Sequence, residues 1–111
     1  MTHCFVRDNG LDGIYVESQS LVLANNVKGS DPFPGTNACI RAKNEGNRIE
    51  ANHVSRHQVG IRIEGNSNLI IRNSAYSNAT NYLINAGNSA GPIITDNTFA
   101  TNTNPHANFE L

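Results

Sequence analysis

A short phrase that recurs along the chain constrains the fold more than any other feature. Each copy has an apolar strand, an asparagine, one spacer and another apolar residue. The asparagines are Asn25, Asn52, Asn73 and Asn97, at spacings of 27, 21 and 24 residues. A repeat in the low twenties without a helical period is typical of one turn of a β-solenoid. The sequence therefore predicts an all-β stack of coils.

A second set of strands alternates with these phrases and shows strict period-two patterning. Because successive side chains of a strand point to opposite faces, each of these strands contributes inward and outward columns. The columns predicted to point inward are Ile14, Ile40, Ile61 and Ile84, followed by Val16, Ala42, Ile63 and Ala86. The column predicted to face outward is Tyr15, Arg41, Arg62 and Asn85.

Turns rich in glycine and asparagine join the two kinds of strand, at residues 44–47, 65–68 and 87–91. Gly and Asn accept the positive φ that tight corners need. With the bend at each repeated asparagine, this gives three short strands per coil. Stacked coils lie about 4.8 Å apart. We therefore expect the repeated asparagines to form a ladder in which each amide bonds to the coils above and below.

The length of 111 residues predicts a single domain, 1–111. We expect coils over residues 1–99 and an irregular C-terminal cap over residues 100–111, with Phe99 and Phe109 covering the last coil. Two prolines in residues 30–37 predict a loop that bulges from the stack. The chain opens inside a coil at Phe5 without a capping helix before it. We expect that it is a fragment of a longer solenoid, or that another chain covers its first coil.

Composition excludes several classes of protein. The formal net charge is −1, so a basic footprint for nucleic acid is missing. No apolar run approaches the ~20 residues of a membrane helix, and residues 1–5 lack the features of a signal peptide. Cys4 and Cys39 fall at different positions of their repeats, so we expect no disulfide and a buried free thiol at Cys39. The histidines lack ligand spacing, and no metal site is predicted.

These patterns resemble the right-handed parallel β-helix proteins of the pectate-lyase-like group over essentially the whole chain. The likeness is greatest to the last coils of bacterial β-helix repeat proteins, through Gly91-Pro92-Ile93-Ile94 and Asn104-Pro105-His106-Ala107-Asn108-Phe109. The resemblance implies a right-handed parallel β-helix of about four coils. It also implies a protein that is secreted or at the cell surface.

The outward face of the isoleucine strands is the first candidate surface for binding. Two columns run side by side on it: Tyr15, Arg41 and Arg62, and Glu17, Lys43 and Glu64. In the pectate-lyase-like group this type of face holds the sugar, and the resemblance implies a polysaccharide partner here. Arg pairs with uronate carboxylates and Tyr stacks on sugar rings. The alternative is a solvated face whose charges cancel, with pairs that contribute roughly 0–1 kcal/mol.

Loops beside this face supply weaker candidates. Phe33 precedes the Arg41 strand and would contribute to substrate binding. His57 with Asp12 would act as base and partner, although Asp12-Gly13 is also an ordinary turn former. Glu17 and Glu64 would form a glycosidase pair only at about 5–9.5 Å. No column of acids continues through the coils, so no cofactor is expected, and calcium only for a lyase.

Three functions stay open from the sequence. The first is a non-catalytic module that binds carbohydrate or serves as a scaffold. The second is part of a polysaccharide lyase or glycoside hydrolase whose other coils carry the missing acids. The third is a structural repeat that assembles end to end.

Overall fold

A computed structural model of the chain describes residues 1–2, 4–7, 12–29, 37–95 and 103–111. Within these residues the chain forms fourteen short strands and no helix. They are β1 (Phe5–Arg7), β2 (Ile14–Val16), β3 (Leu21–Leu23), β4 (Asn26–Lys28), β5 (Ala38–Ala42), β6 (Arg48–Glu50), β7 (His53–Ser55), β8 (Val59–Ile63), β9 (Leu69–Ile71), β10 (Ser74–Tyr76), β11 (Thr80–Ile84), β12 (Ser89–Ala90), β13 (Ile93–Thr95) and β14 (Asn108–Glu110).

The strands form three sheets that run along the stack. Sheet 1 has the order β2-β5-β8-β11, sheet 2 has β3-β6-β9-β12, and sheet 3 has β1-β4-β7-β10-β14-β13. Every pairing is parallel, and neighbours up to the last coil lie three strands apart in the chain. Because one strand of each sheet is visited per turn, the chain winds as a parallel β-helix with three strands per coil. This confirms the predicted fold class.

The core is a narrow stack of aliphatic side chains inside the coils. Its columns are Ile14–Ile40–Ile61 from sheet 1, Val22–Ile49–Ile70 from sheet 2 and Val27–Val54–Ala75 from sheet 3. All of these residues are at most 5% exposed. Burial of an Ile or Val side chain contributes roughly 1.5–3 kcal/mol. The inward isoleucines that the sequence predicted for the first three coils are confirmed.

The fourth coil departs from the predicted register by two residues. Tyr82, not Ile84, pairs with Ile61, and Ile84 pairs with Ile63. Ile84 packs against the core, as predicted, but it stacks on Ile63 and not on Ile61. The predictions for Asn85 and Ala86 are wrong, and Leu83 continues the outward column of Arg62. Ile61 and Tyr82 are 21 residues apart, the same spacing as between Ile40 and Ile61. A tyrosine fits this inward position because its hydroxyl lies 3.1 and 2.7 Å from the backbone oxygens of Asn73 and Phe109.

The asparagine ladder is confirmed at Asn25, Asn52 and Asn73, all of which are buried. The backbone N–H and the amide of Asn25 donate to Oδ1 of Asn52 at 2.9 and 3.0 Å. Asn52 donates in the same two ways to Oδ1 of Asn73, and its amide also donates to the carbonyl of Val22. Each buried amide is thus satisfied by its neighbouring coils.

The next rung of the ladder is Asn108, which accepts from the backbone N–H and the amide of Asn73 at 3.1 and 3.0 Å. Asn97, predicted for this rung, lies outside the described residues. The repeated phrase predicts that Ile93–Thr95, which precedes Asn97, stacks on Leu69–Ile71, which precedes Asn73. This prediction is wrong, because Ser89–Ala90 pairs with Leu69 and Ile70 and Ile93–Thr95 joins sheet 3. The expectation that the tail leaves the repeat is wrong for Asn108–Glu110. These residues return to the stack because Asn108 satisfies the last amide and backbone groups of the ladder.

A second ladder runs through the turns between sheets 1 and 2. The backbone and amide nitrogens of Asn47 donate to Oδ1 of Asn68, and those of Asn68 donate to Oδ1 of Asn88, at 2.8–3.0 Å. The sequence pattern predicts these residues only as turn formers, and their hydrogen bonds along the stack do not follow from it. Positive φ at the corners is held by Gly46 and Gly87, but also by residues that are not glycine. Among the latter are Ala24, Ala51 and Arg72, each directly before a ladder asparagine.

The chain opens inside a coil, as predicted, because Phe5–Arg7 pairs with Asn26–Lys28 and Thr2 pairs with Leu23. Cys4 occupies the ladder position before Asn25, whose Oδ1 accepts from the Cys4 backbone N–H at 3.0 Å. The cover of the outer edge of this first coil, by further coils or by another chain, stays a prediction. In the described part of the chain, no helix has the length and apolarity needed to cross a membrane.

Substitution of Asn52 by alanine should lower the free energy of unfolding strongly. It leaves the buried backbone N–H of Asn25 without its partner and removes one hydrogen-bond donor from the carbonyl of Val22, and a buried group left unpaired costs about 1–3 kcal/mol. We expect Asn52→Ala to lose ~3 kcal/mol in urea unfolding. Asn26→Ala, at an exposed position beside the ladder, is the matched control and should change stability by less than about 0.5 kcal/mol. Equal losses in the two variants would contradict the ladder's role.

Cys39 is a free, fully buried thiol, as predicted, and Cys4 is free and half-buried. The Cys39 Sγ lies 3.4 Å from the carbonyl oxygen of Ser55, and burial raises the pKa of the thiol to about 12. Because the thiolate is the nucleophile, Cys39 should not react in the folded protein.

With a chromogenic disulfide reagent at pH 8, we expect one equivalent of thiol from the folded chain and two after denaturation. Cys4→Ser should abolish the first equivalent and leave the second. Fast reaction of the folded Cys4→Ser variant would show that Cys39 is accessible.

Candidate functional site

The outer face of sheet 1 brings together the residues that the sequence singled out. The register places Tyr15, Arg41 and Arg62 in one outward column. Glu17, Lys43 and Glu64 follow directly after these paired strands. Because the strands are short and in register, successive members of a column lie about 4.8 Å apart. Phe33, the other residue assigned to binding, lies outside the described residues.

Arg41 is the centre of this face because it contacts residues of the coils before and after its own. Its Nε donates to Oε1 of Glu64, and its Nη1 donates to Oδ2 of Asp12 at 3.3 Å. Its Cζ lies 5.5 Å from the centroid of the Tyr15 ring, within cation–π distance. The hydrogen bond to Glu64 raises the pKa of Arg41 above its usual range and lowers that of Glu64 below its usual range. The guanidinium is therefore held in one place and stays charged.

The ion pairing on this face differs from the predicted cancellation among Glu17, Lys43 and Glu64. Glu64 crosses to the neighbouring column and bonds to Arg41, while Lys43 and Arg62 act on it only at longer range. Glu64 pairs with Arg41 because the long arginine side chain extends to carboxylates on the coils before and after its own. Tyr15 stays 44% exposed beside the fork.

A second concave surface lies on sheet 2, where the sequence analysis placed no site. It is a groove of about 620 Å³ with Leu69 and Ile71 in its floor and Arg48, Pro92 and His106 among its walls. Residues 103–106 bring the C-terminal tail to its rim. Arg72 fixes that tail, because its Nε donates to the carbonyl of Pro105 at 2.8 Å. The groove depends on the tail returning to the stack.

A three-membered charge network stands beside the groove. Glu50 is only 8% exposed, and its two oxygens accept from Nε of Arg48 at 2.7 Å and Nη1 of Arg72 at 2.9 Å. The hydrogen bond from Arg48 lowers the pKa of Glu50, which stays ionised. A buried carboxylate is tolerated here because both of its oxygens are paired.

The outward columns of sheet 2 carry a sequence signal for this groove. Leu23, Glu50 and Ile71 form one column and Leu21, Arg48 and Leu69 the other. Four of these six outward residues are apolar, which indicates a face that is covered or that binds something. Residues 103–106 lie at the rim of this face, whereas the sequence predicted a cap on the last coil for residues 100–111.

Comparison with known proteins matches the chain to one family. The family model is described as a right handed beta helix region and covers residues 1–110. The chain belongs to the right-handed β-helix family. No curated protein matches this β-helix significantly, and no solved structure does.

Two of the weaker candidates for catalysis, Asp12 and His57, have structural contacts within the β-helix. Asp12 accepts from the backbone N–H of Ala38 at 2.8 Å as well as from Arg41. His57 is 1% exposed. Its ring lies so close to Gly29 that a Cβ added there would stand 2.6 Å from the imidazole. Asp12 therefore helps to hold the Arg41 fork, and His57 packs inside the β-helix against Gly29.

The two remaining candidates, Glu17 and Glu64, differ in their surroundings. Glu17 is exposed, whereas Glu64 is held as a carboxylate by Arg41. A general acid needs a raised pKa to carry its proton at neutral pH, and that of Glu64 is lowered. Among the residues that the structure describes, no group of three or more His, Cys, Asp or Glu side chains has the arrangement of a metal site.

The Arg41–Glu64 pair predicts a specific dependence of stability on pH. Because the pKa of Glu64 is lower in the folded state than its ordinary value of 4.5, the pair stabilises fully above about pH 5 and is lost as the pH falls through the folded pKa. Partial exposure limits the contribution to about 0.5–1 kcal/mol.

We expect Glu64→Gln to reduce the free energy of unfolding at pH 7, and we expect its difference from the wild type to shrink as the pH falls through the folded-state pKa of Glu64. Glu17→Gln removes an exposed carboxylate of the same column and is the control, with no such convergence. A difference between Glu64→Gln and wild type that does not change with pH would contradict the ion pair.

Proposed function

We propose that this β-helix is a non-catalytic module that binds neutral carbohydrate through the outer face of sheet 1. The observation that carries the proposal is the exposed Tyr15 ring beside an Arg41 fork held by two carboxylates. From the resemblance of the sequence to pectate-lyase-like β-helix proteins, we also propose that the module is secreted or lies at the cell surface.

The chemistry of this face suits a sugar. An exposed tyrosine offers a flat apolar surface to the C–H face of a pyranose, with a polar hydroxyl at its end. Arg41 keeps further N–H donors beyond those used by Asp12 and Glu64, and these carboxylates keep acceptor lone pairs. Adjacent donors and acceptors pair with vicinal hydroxyl groups. Because Arg41 is already fixed in the folded protein, binding costs little side-chain entropy.

The charge balance favours a neutral sugar over a uronate. The face carries three basic groups, Arg41, Lys43 and Arg62, and three acidic groups, Asp12, Glu17 and Glu64. Arg41 is bound to two of these acids. A uronate carboxylate at Arg41 would lie close to both acids and be repelled by them, so the pairing of arginine with a uronate suggested by the sequence is disfavoured here.

The same contacts support a role without catalysis. Glu64 is held ionised, Asp12 is engaged by Ala38 and Arg41, and His57 is buried. A proton-transfer pair on this face would need one acid with a raised pKa. The enzymatic and end-to-end assembly alternatives stay predictions.

Replacing Tyr15 by alanine should remove the stacking surface and weaken binding. On affinity gels with a panel of neutral polysaccharides and polygalacturonate, we expect at least one neutral polymer to retard the wild type. Tyr15→Ala and Arg41→Gln should raise its Kd by about tenfold or more, equivalent to ~1.4 kcal/mol.

Tyr76→Ala provides the matched control, since Tyr76 is an exposed tyrosine that stacks on His53 on sheet 3. Its Kd should stay within about twofold of wild type. Thermal unfolding checks that each variant is folded. Lack of binding to every neutral polymer, or binding unchanged in folded Tyr15→Ala, would overturn the proposal.

A further inference from the structure

The groove on sheet 2 is separate from the face proposed to bind carbohydrate. It lies on a different side of the coil, because sheets 1 and 2 are joined by the turn that carries Asn47, Asn68 and Asn88. Its residues take no part in the Arg41 cluster. What the groove binds is therefore an independent question.

The electrostatics of the groove are asymmetric. Two guanidiniums, Arg48 and Arg72, share the single carboxylate of Glu50, so the network carries one excess positive charge. Both oxygens of Glu50 are used by these bonds, which leaves it little power to repel an anion. Among the described residues that line the groove, none is acidic.

Arg48 is the residue best placed to meet a ligand. Its side chain is 52% exposed and lines the groove, while Nε is fixed by Glu50 at 2.7 Å. A guanidinium has five N–H donors in a rigid fork, so the donors not used by Glu50 remain to bind a carboxylate. Because Glu50 is buried and paired, the fork is oriented before a ligand arrives.

The floor of the groove is apolar. Leu69 and Ile71 lie beneath it, and Ala90 and Pro92 form part of the wall. Leu69 stands next to Arg48 in the register of sheet 2, so the apolar surface begins where the charged fork ends. A ligand that fills both regions must have an anionic head and an apolar body.

We propose that this groove binds a small organic acid, one carboxylate on an apolar ring or chain. Arg48 pairs with the carboxylate, and the apolar body lies on Leu69 and Ile71. The volume of about 620 Å³ falls in the range of small-molecule sites. Charge complementarity selects the head group, and the apolar floor separates this ligand from a sugar acid.

The test uses the full chain labelled with 15N and three probes: 4-phenylbutyrate, its uncharged amide, and galacturonic acid, which has the charge without the apolar body. We expect 4-phenylbutyrate to shift the amide resonances of Leu69, Ile71 and Ser89. The two other probes should bind at least about tenfold more weakly, since each lacks one half of the recognition. Addition of salt should weaken the binding of 4-phenylbutyrate.

Two variants locate the site. Arg48→Gln should reduce the affinity for 4-phenylbutyrate by about tenfold or more, whereas Lys28→Gln, a charge-matched change on sheet 3, should leave it unchanged. Ser89→Trp places a bulky side chain at an exposed groove position and should block binding without altering the charge network.

Each result decides for or against the proposal. Equal binding of the amide would show that Arg48 does not select an anion, and equal binding of galacturonic acid would show that the apolar floor plays no part. Shifts confined to sheet 1, or affinity unchanged in folded Arg48→Gln and Ser89→Trp, would overturn the site. Because these probes do not involve Tyr15, failure here would leave the carbohydrate proposal standing.

Discussion

The buried asparagine ladder is the interaction on which the rest of the molecule depends. A coil of about 21 residues has no hairpin or helix to set its register, and a slip by one residue would turn every inward side chain outward. The bonds from Asn25 to Asn52 and from Asn52 to Asn73 fix where each coil bends. Once the bend is fixed, the isoleucine columns of sheets 1 and 2 fall into line. The outward residues are then placed with the same precision.

The residue before each ladder asparagine shows how strongly the bend is determined. Ala24, Ala51 and Arg72 have φ values of 56–59°, a conformation that side chains normally avoid. The cost is of order 1–2 kcal/mol per residue. It is tolerated because the adjacent asparagine satisfies several buried groups at once. A search of the sequence for glycine at tight corners does not find these three bends, because none of the three residues is glycine.

The repeat, the inward columns and the first three rungs follow from periodicity, because identical coils demand identical residues. The deviations lie where the stack ends. Tyr82 stands at an isoleucine position because its hydroxyl reaches backbone oxygens of the returning tail, and Asn108 serves as a rung 35 residues after Asn73. Neither follows from a fixed period. The groove was missed for the same reason, since its rim is built by that tail.

The two outer faces show how one scaffold carries different electrostatics. On sheet 1 one arginine is shared by two acids, and on sheet 2 one acid is shared by two arginines. Both arrangements fix their guanidiniums. The Arg41 cluster by itself has one excess negative charge, and the Glu50 network has one excess positive charge. Parallel stacking makes this possible because each outward column varies without disturbing the core.

The distant rung at Asn108 has a consequence for synthesis on the ribosome. The bonds between Asn25, Asn52 and Asn73 join residues 27 and 21 positions apart, so these coils close soon after each emerges. The bond from Asn73 to Asn108 spans 35 residues and closes a longer loop, with a larger loss of chain entropy. Until residue 108 leaves the exit tunnel, the side-chain amide of Asn73 lacks its bond to Asn108 and is exposed to water. The coils that contain Asn25, Asn52 and Asn73 therefore fold first during synthesis, and the rung at Asn108 forms after them.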